Sequence, residues 1–291
     1  MPSINVVIPV WNRAHVVGRA IASVVGQDLV GRDLPVSDWS LQVLVVDDGS
    51  TDDLAGALRP FGAQVTLIRH ERNAGAASAR NTGIAAAQCN YLAFLDSDDL
   101  WLPGKLATQI AFMREGGHPV SCTGCELARP GRSAILWPRY TSGLLTLADA
   151  VWGCYLSPGT TMICEPRVFA DIGVFDTSLQ RHEDWDWLLR LTARYDVAYL
   201  PRPLASREPS AFSKHRQTLD AIDGIRRKHL LELPPHLRRR FEAALALETA
   251  AVRYRQRDWR GAMSGILRSL WLAPIGNDAL RTVAAGRLAR H

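Results

Sequence analysis

Three carboxylates stand within four positions at Asp96-Ser97-Asp98-Asp99, directly after the apolar run Tyr91-Leu92-Ala93-Phe94-Leu95. Left uncompensated, such neighbours repel one another and raise their own pKa values. A hard divalent cation removes that repulsion, takes carboxylate oxygens as ligands and binds phosphate oxygens besides. A solvated acidic turn, with Asp98 or Asp99 capping a helix that starts near Trp101, would use the same residues. A second acidic group closes another apolar run, where Leu41-Gln42-Val43-Leu44-Val45-Val46 leads into Asp47-Asp48-Gly49-Ser50-Thr51-Asp52. Ser50 or Thr51 is placed there to cap the next helix. A third, Glu183-Asp184, precedes the amphipathic pattern of Trp185, Leu188, Leu189 and Leu191. It therefore stands at a helix N-terminus, where the dipole favours carboxylates.

The elements that position these acids follow from hydrophobic pattern. Tyr91 to Leu95 is too short for a helix and reads as a buried strand of a parallel sheet. In open α/β sheets the ligand crevice lies outside the carboxyl ends of the strands, where the first two acidic groups fall. Ile4 to Val10 is a β-branched strand, and Pro9, lacking an N–H, marks where it leaves the ladder. Val17, Ile21 and Val24 form the sheet-facing stripe of a first helix closed by Gln27, and Asp28 to Ser40 is a loop. Val65 to Arg69 is a third strand. Asn73 to Gly83 is a loop entering a helix of very small side chains, which permits close approach and turns N–H groups toward an anion. Strands alternating with helices give a doubly wound parallel sheet. No G-x-x-x-x-G-K-[ST] exists and no G-x-G-x-x-G follows the first strand, so two common nucleotide-binding folds are excluded. Beyond Trp101, Leu106, Ile110 and Met113 form a helical stripe ended by Gly116-Gly117, and Ser133 to Thr141 is loop-like.

Composition sets the frame. A chain of 291 residues with 47% hydrophobic and 22% charged residues has the make-up of about two globular domains rather than a disordered chain or a disulfide scaffold. No apolar run approaches the roughly 18 residues of a membrane span, and Ile4 to Trp11 reads as a strand rather than a signal peptide. Five cysteines at scattered spacing fit a reducing cytoplasm. Cys122-Thr-Gly-Cys125 matches C-x-x-C, but Cys154 and Cys164 complete no four-ligand zinc pattern, and buried inert thiols are expected. From Lys214 onward 16 Lys plus Arg face 7 Asp plus Glu, a net +9, whereas the first 213 residues hold 18 against 22. An acidic body with a basic C-terminal segment implies two parts with different roles.

Five motifs occur in one order: Val7-Ile8-Pro9-Val10-Trp11-Asn12-Arg13, Val45-Val46-Asp47-Asp48-Gly49-Ser50-Thr51-Asp52, Asn73 to Gly83, Asp96 to Asp99, and His182-Glu183-Asp184-Trp185-Asp186-Trp187. Together they resemble a family 2 glycosyltransferase of the GT-A fold, a large group of mostly inverting enzymes that use nucleotide-sugars. The resemblance implies an α/β, Rossmann-like, mainly parallel sheet flanked by helices, to which the tail's own pattern adds a C-terminal helical extension. It implies a catalytic domain over 1-212, with nucleotide-sugar binding over about 1-101 and the acceptor side over about 102-212; the tail over 213-291 lies outside the resemblance and reads, from its own charge and apolar stripes, as a basic helical extension. It places Pro9, Trp11 and Arg13 in the nucleotide pocket, with Asp47 accepting from the base, usually a uracil N–H. An aromatic can stack on a base, and an acceptor-only carboxylate reads a donor edge. Trp11 as a core residue and Asp47 as a helix cap are the alternatives.

By the same resemblance Gly75 and Arg80 sit beside the donor, although Arg80 could equally be a solvated helix arginine. Asp96, Ser97 and Asp98 hold the ribose and a divalent cation, Mg²⁺ or Mn²⁺. Asp98 is the most direct ligand, Asp96 joins it, and Asp99 stands behind them. Ser157 to Cys164 resembles the acceptor-side strand, and Asp184 the general base. The donor implied is a nucleoside diphosphate sugar, a UDP-sugar first. The acceptor is a hydroxyl of a glycan, glycolipid or small molecule in bacterial surface polysaccharide or glycoconjugate synthesis, with no nucleic acid partner. Family members commonly carry a histidine shortly after the strand here written Val197-Ala198-Tyr199-Leu200, where this chain has Ala205-Ser206-Arg207-Glu208. That leaves a third metal ligand open, with Arg207 or Lys214 able to neutralise phosphate.

Two other classes compete. A metal-dependent phosphatase would need a nucleophilic aspartate with lysine and threonine helpers at later strand ends, and no such series is present. A non-catalytic nucleotide-sugar binding or scaffold protein would bind donor without turning it over. The tail carries helical stripes of Phe241, Leu245 and Val252 and of Trp259, Ile266, Leu267, Leu270 and Trp271. They suit a helical cap packed on the catalytic domain, or a peripheral contact with an anionic inner membrane face or with a protein partner that brings the acceptor.

Overall fold

The computed structural model describes residues 1–28, 39–128, 135–137, 143–208 and 215–274. The first strands are β1 (Ser3–Val10), β2 (Ser40–Asp47), β3 (Val65–Arg69), β4 (Tyr91–Phe94) and β5 (Leu100–Trp101). They are followed by β6 (Val120–Leu127), β7 (Ile135–Trp137), β8 (Gly143–Leu145), β9 (Ile163–Cys164) and β10 (Val197–Arg207). Helices α1 (Ala14–Val25), α2 (Leu54–Leu58), α3 (Ala76–Ala86) and α4 (Lys105–Gly116) belong to the first half, and α5 (Leu147–Ala150), α6 (Pro158–Thr161), α7 (Arg167–Ile172) and α8 (Glu183–Thr192) to the middle. The chain continues through α9 (His215–His229), α10 (Pro235–Arg255) and α11 (Trp259–Leu272).

Among the described residues one sheet runs β3-β2-β1-β4-β9-β6-β10-β5, with β7 beside β6 and β8 beside β10. Pairings β2·β3, β1·β2 and β1·β4 are parallel, so the nucleotide-type half is wound as its alternating pattern requires. The short β9 enters antiparallel between β4 and β6, and β10 then runs parallel to β6. Ile4, Val6, Val7 and Ile8 of β1 are all buried, as expected of a strand covered on both faces. Val17, Ile21 and Val24 form the buried side of α1. A Cβ at Gly83 would collide with Val7, which explains the small residues of α3: the helix lies directly on β1. Pro9 remains inside β1, opposite Val46. Its neighbour-but-one Val7 accepts from Leu95 on the β4 side, where pairing then stops, so the missing Pro9 N–H faces the finished edge of that ladder.

Three local expectations are corrected. No helix begins near Trp101, because Leu100–Trp101 pairs antiparallel with β10 and α4 starts only at Lys105, behind a left-handed Gly104. Neither Ser50 nor Thr51 caps α2; the cap is Asp53, whose carboxylate accepts from Gly56 N. Ser157 to Cys164 is mostly the short helix α6, with only Ile163–Cys164 extended.

The chain divides into two compact units that interleave in sequence. One comprises Met1–Leu144, Leu156–Thr177 and Val197–Pro209; the other comprises Leu145–Tyr155, Ser178–Asp196 and Ser210–His291. In the second, Phe241, Leu245 and Val252 are buried as their spacing predicts, and Trp185 of α8 packs edge-on against Phe241 at 5.7 Å.

Lys105 is wholly buried in the first unit, donating to Gln109 Oε1 at 2.5 Å and Thr161 O at 3.0 Å, with the Trp101 ring 5.1 Å away. Burial pulls its pKa down to about 7, against the opposing pull of Cys122 and Cys125. Between that value and the usual lysine range the unfolded chain holds a proton that the folded chain has released, so this group makes stability rise with pH in that window. Lys105→Met removes the proton difference. The stability of the variant relative to wild type should fall by about 2 kcal/mol between about pH 7 and 9, measured by urea unfolding. A pH-independent difference would show that Lys105 titrates normally.

Candidate active site

The loops after β1, β2 and β4 are tied into one surface by their own side chains. Asn12, at φ 52°, donates its N–H to Ser50 Oγ at 2.9 Å and accepts from Thr51 N at 2.8 Å, while Ala14 N donates to Asp52 at 2.8 Å. This arrangement leaves Trp11 on the rim, 50% exposed, which rules out the core alternative and bares an aromatic face. Gly49 is required at φ 73°, because a Cβ there would lie 2.7–2.9 Å from the Arg72–Asn73 backbone.

The two acids after β2 serve the loop itself. Asp48 accepts from Ala74 N at 2.9 Å, Gly75 N at 2.8 Å and the His70 ring at 2.8 Å, so the anion facing the entry to α3 is built in. Gly75, at φ 92°, makes the turn into that helix. Asp47 is fully buried; Oδ1 accepts from Ser50 N at 2.8 Å, and Oδ2 meets Arg69 Nε at 3.1 Å without hydrogen-bond alignment.

After β4 each acid meets its own arginine. Asp96 Oδ1 accepts from Arg80 Nη2 at 2.8 Å, and Asp98 Oδ2 from Arg13 Nη1 at 2.9 Å. Asp99 accepts from Thr160 Oγ1 at 2.5 Å and Glu208 N at 3.1 Å, with Arg207 Nε at 3.4 Å. Arg80 is therefore buried rather than solvated, and Phe175 lies 5.7 Å beneath its guanidinium. Asp96 and Asp98 remain 32% and 27% exposed, whereas Asp99 and Ser97 are buried. Burial and the charge of Asp96 push the Asp99 carboxyl up to about 7, against the pull of Arg207 and Thr160. Arg207, at the end of β10, also donates to Ser157 Oγ at 2.7 Å, so a cation occupies the region where a histidine was sought. Lys214 lies outside the described residues.

Sequence reasoning missed Gly159 and Thr160. A Cβ at Gly159 would sit 2.9 Å from both Arg80 Nη2 and Asp96 Oδ1, so glycine lets α6 close on that pair. Only the small-residue run Pro158-Gly159-Thr160-Thr161 could have signalled it.

Asp184 lies in the second unit, in the first turn of α8, half-buried, with Oδ1 accepting from Trp185 N at 2.8 Å. His182 precedes the helix at φ 59°, and Trp185 Nε1 anchors the turn to Ala150 O at 2.8 Å. Among the described residues no group of three or more His, Cys, Asp or Glu is arranged to hold a metal ion. Cys122 and Cys125 are buried in β6, and burial raises their thiols to about 12 and about 11, as inert thiols require.

Residues 5–156, just over half of the chain, match the family model described as Glycosyl transferase family 2. The chain belongs to this family. Its GT-A architecture is shared by S. aureus TarS 1-349, solved in complex with UDP-GlcNAc, at TM-score 0.68 and 18% identity over 98% of this chain and 83% of that one. The mannosyltransferase PcManGT of Pyrobaculum calidifontis, solved with GDP-Man and Mn²⁺, matches at TM-score 0.61 and 18% identity over 99% and 80%. An uncharacterized glycosyltransferase of Haemophilus influenzae is 25% identical over 244 residues, 78% of this chain and 77% of that protein. A Rickettsia bellii glycosyltransferase is 38% identical over 125 residues, and the match spans only 17% of its length. This family 2 chain thus corresponds to a small part of some relatives and to most of others.

Proposed function

We propose that this family 2 chain transfers a sugar from a nucleoside diphosphate sugar, a UDP-sugar, to an acceptor hydroxyl with inversion at the anomeric carbon. The observation that carries the reading is the set of arginine-paired acids at the carboxyl end of β4, beside the exposed Trp11. Arg13 and Arg80 are cations already held at the acids, placed to move onto diphosphate oxygens, and Trp11 offers a stacking face to a base. Asp47 would reach a base N–H once Arg69, itself 55% exposed, turns aside. Pro9, Gly75 and Ser97 shape the surrounding backbone.

Asp96 and Asp98 are hard oxygen donors that are partly exposed, each with one oxygen on an arginine. That set fits Mg²⁺ or Mn²⁺, since Mg²⁺ is commonly bound by one or two carboxylates completed by substrate phosphates and water. Bound there, the cation would stabilise charge on the departing diphosphate. Asp184 takes the proton of the acceptor hydroxyl as its oxygen forms the new glycosidic bond, and the electron pair of the breaking anomeric bond leaves with the diphosphate. We assign catalysis to 1-212, and to the basic extension over 213-291 a peripheral contact that brings the acceptor, a glycan, glycolipid or small molecule.

The test is donor affinity by calorimetry with and without Mg²⁺ or Mn²⁺. Divalent cation should tighten binding of a UDP-sugar by about 10-fold or more, and Asp98→Asn should lose most of that gain. Equal, metal-independent affinity in both proteins would sink the assignment.

A further inference from the structure

Helix α11 packs the reverse of an ordinary amphipathic helix. Its buried positions are small, Ala262 and Ser269, and Gly265 lies so close to α10 that a Cβ there would stand 2.9 Å from Ala246 O and Ala250 Cβ. The large side chains point the other way. Trp259, Met263, Leu267 and Trp271 recur every four residues and are 59%, 56%, 59% and 73% exposed. Residues four apart share a helix face, so they form one apolar ridge about 18 Å long, a tryptophan at each end. Four bulky apolar side chains left bare in a row mark an interaction surface.

The charge around the ridge selects its partner. From Pro235 to Leu272, the span of α10 and α11, eight arginines face only Glu242, Glu248 and Asp258. Glu242 is shared by Arg226 and Arg268, and Asp258 is paired with Arg253. Arg239 lies 5.9 Å over the Trp271 ring at one end of the ridge, and Arg257 and Arg260 are exposed at the other. Tyr254, 47% exposed, stands edge-on to Trp259 at 5.0 Å. Tryptophan and tyrosine are favoured at the level of lipid headgroups, and arginines bordering an apolar stripe suit anionic headgroups. No helix among the described residues is long and apolar enough to cross a membrane. The helix therefore has the features of one that lies on a bilayer and none of one that spans it.

We propose that α11 docks on an anionic lipid surface through the Trp259–Trp271 ridge, with the bordering arginines on the headgroups. The proposal deepens the peripheral contact assigned above to the basic extension, and it is independent of the donor chemistry.

The full chain should co-sediment with phosphatidylcholine vesicles containing about 30% phosphatidylglycerol at least about 10-fold more than with phosphatidylcholine alone, and the difference should shrink at high salt. The double substitution Met263→Glu with Leu267→Glu alters only exposed positions; it should keep the unfolding temperature of wild type and abolish vesicle binding. Absence of binding by the wild type at low salt would overturn the proposal. So would binding that ignores lipid charge, or a concentration-dependent dimer abolished by the same double substitution in a chain that binds no vesicles, which would make the occupant a second copy. A chain that binds vesicles yet neither binds nor transfers a nucleotide-sugar would reject the transferase reading and leave the docking face standing.

Discussion

Asp184→Asn should lower sugar transfer by about 10²-fold or more while leaving donor affinity within about threefold of wild type. The substitution preserves shape. Asn can still accept from Trp185 N, as Asp184 Oδ1 does at 2.8 Å, so the first turn of α8 keeps its geometry. What is lost is the only property a general base needs, a carboxylate able to take a proton. The rival base is the adjacent Glu183, but neighbouring residues on a helix point about 100° apart, so one of the two faces a given acceptor. Transfer abolished by Glu183→Gln and spared by Asp184→Asn would reverse the assignment. Product analysis is the second arm: a product that keeps the anomeric configuration of the donor would reject single displacement altogether.

The parallel half of the sheet was legible because its signal is redundant. Each of β1, β2 and β4 is a short apolar run closed by polar residues, and such runs can be satisfied only inside a covered parallel sheet. A very short element without a pattern of its own was not legible: the two-residue strand Leu100–Trp101 owes its existence to β10, more than a hundred positions away. The helix cap was missed for a related reason. Asp47 to Asp53 contains six residues able to cap, and which one does depends on what the others hold: Ser50 is spent on Asn12, and Asp52 on Ala14.

The site divides along the same line. Residue types told that acids gather at strand ends, and the structure gathers them. Partners were invisible, because Arg13 reaches Asp98 across 85 positions, and Arg207 reaches Asp99 across 108. No spacing rule links such residues, and none shows that Asp48 serves as the internal cap of the Ala74–Gly75 turn. Counting charges in the basic tail likewise reveals nothing of their partners. Lys228 is counted in its charge, yet it is spent on a carboxylate of the same unit.

That carboxylate, Asp186, supplies the second large effect: Asp186→Asn should lower stability by about 3 kcal/mol, the range found when a buried charge cluster loses one partner. Asp186 is fully buried, accepting from His229 Nε2 at 2.8 Å and from Arg190 Nη2 at 2.8 Å, with Lys228 Nζ also at 2.8 Å. Burial alone would push its carboxyl up, but His229, Lys228 and Arg190 outweigh it and hold the group well below the usual carboxylate range. A depressed folded-state pKa gives stability that is present above the unfolded value and is lost as pH falls toward the folded one. The gap between wild type and variant should therefore be widest near neutrality and close in acid. Asn presents an N–H donor toward cations that need acceptors, which worsens the loss, while Arg190 and Lys228, 21% and 36% exposed, recover part of it by hydration. For a chain of this length the shift in unfolding temperature should be about 5 °C near pH 7. Because Asp186 ties α8 to α9 two residues from Asp184, the comparison separates structure from chemistry. Asp184→Asn should unfold like wild type and fail to transfer, whereas Asp186→Asn, assayed well below its unfolding temperature, should transfer sugar at a rate nearer wild type. Equal unfolding temperatures for Asp186→Asn and wild type across this pH range would show that the cluster adds nothing to the fold.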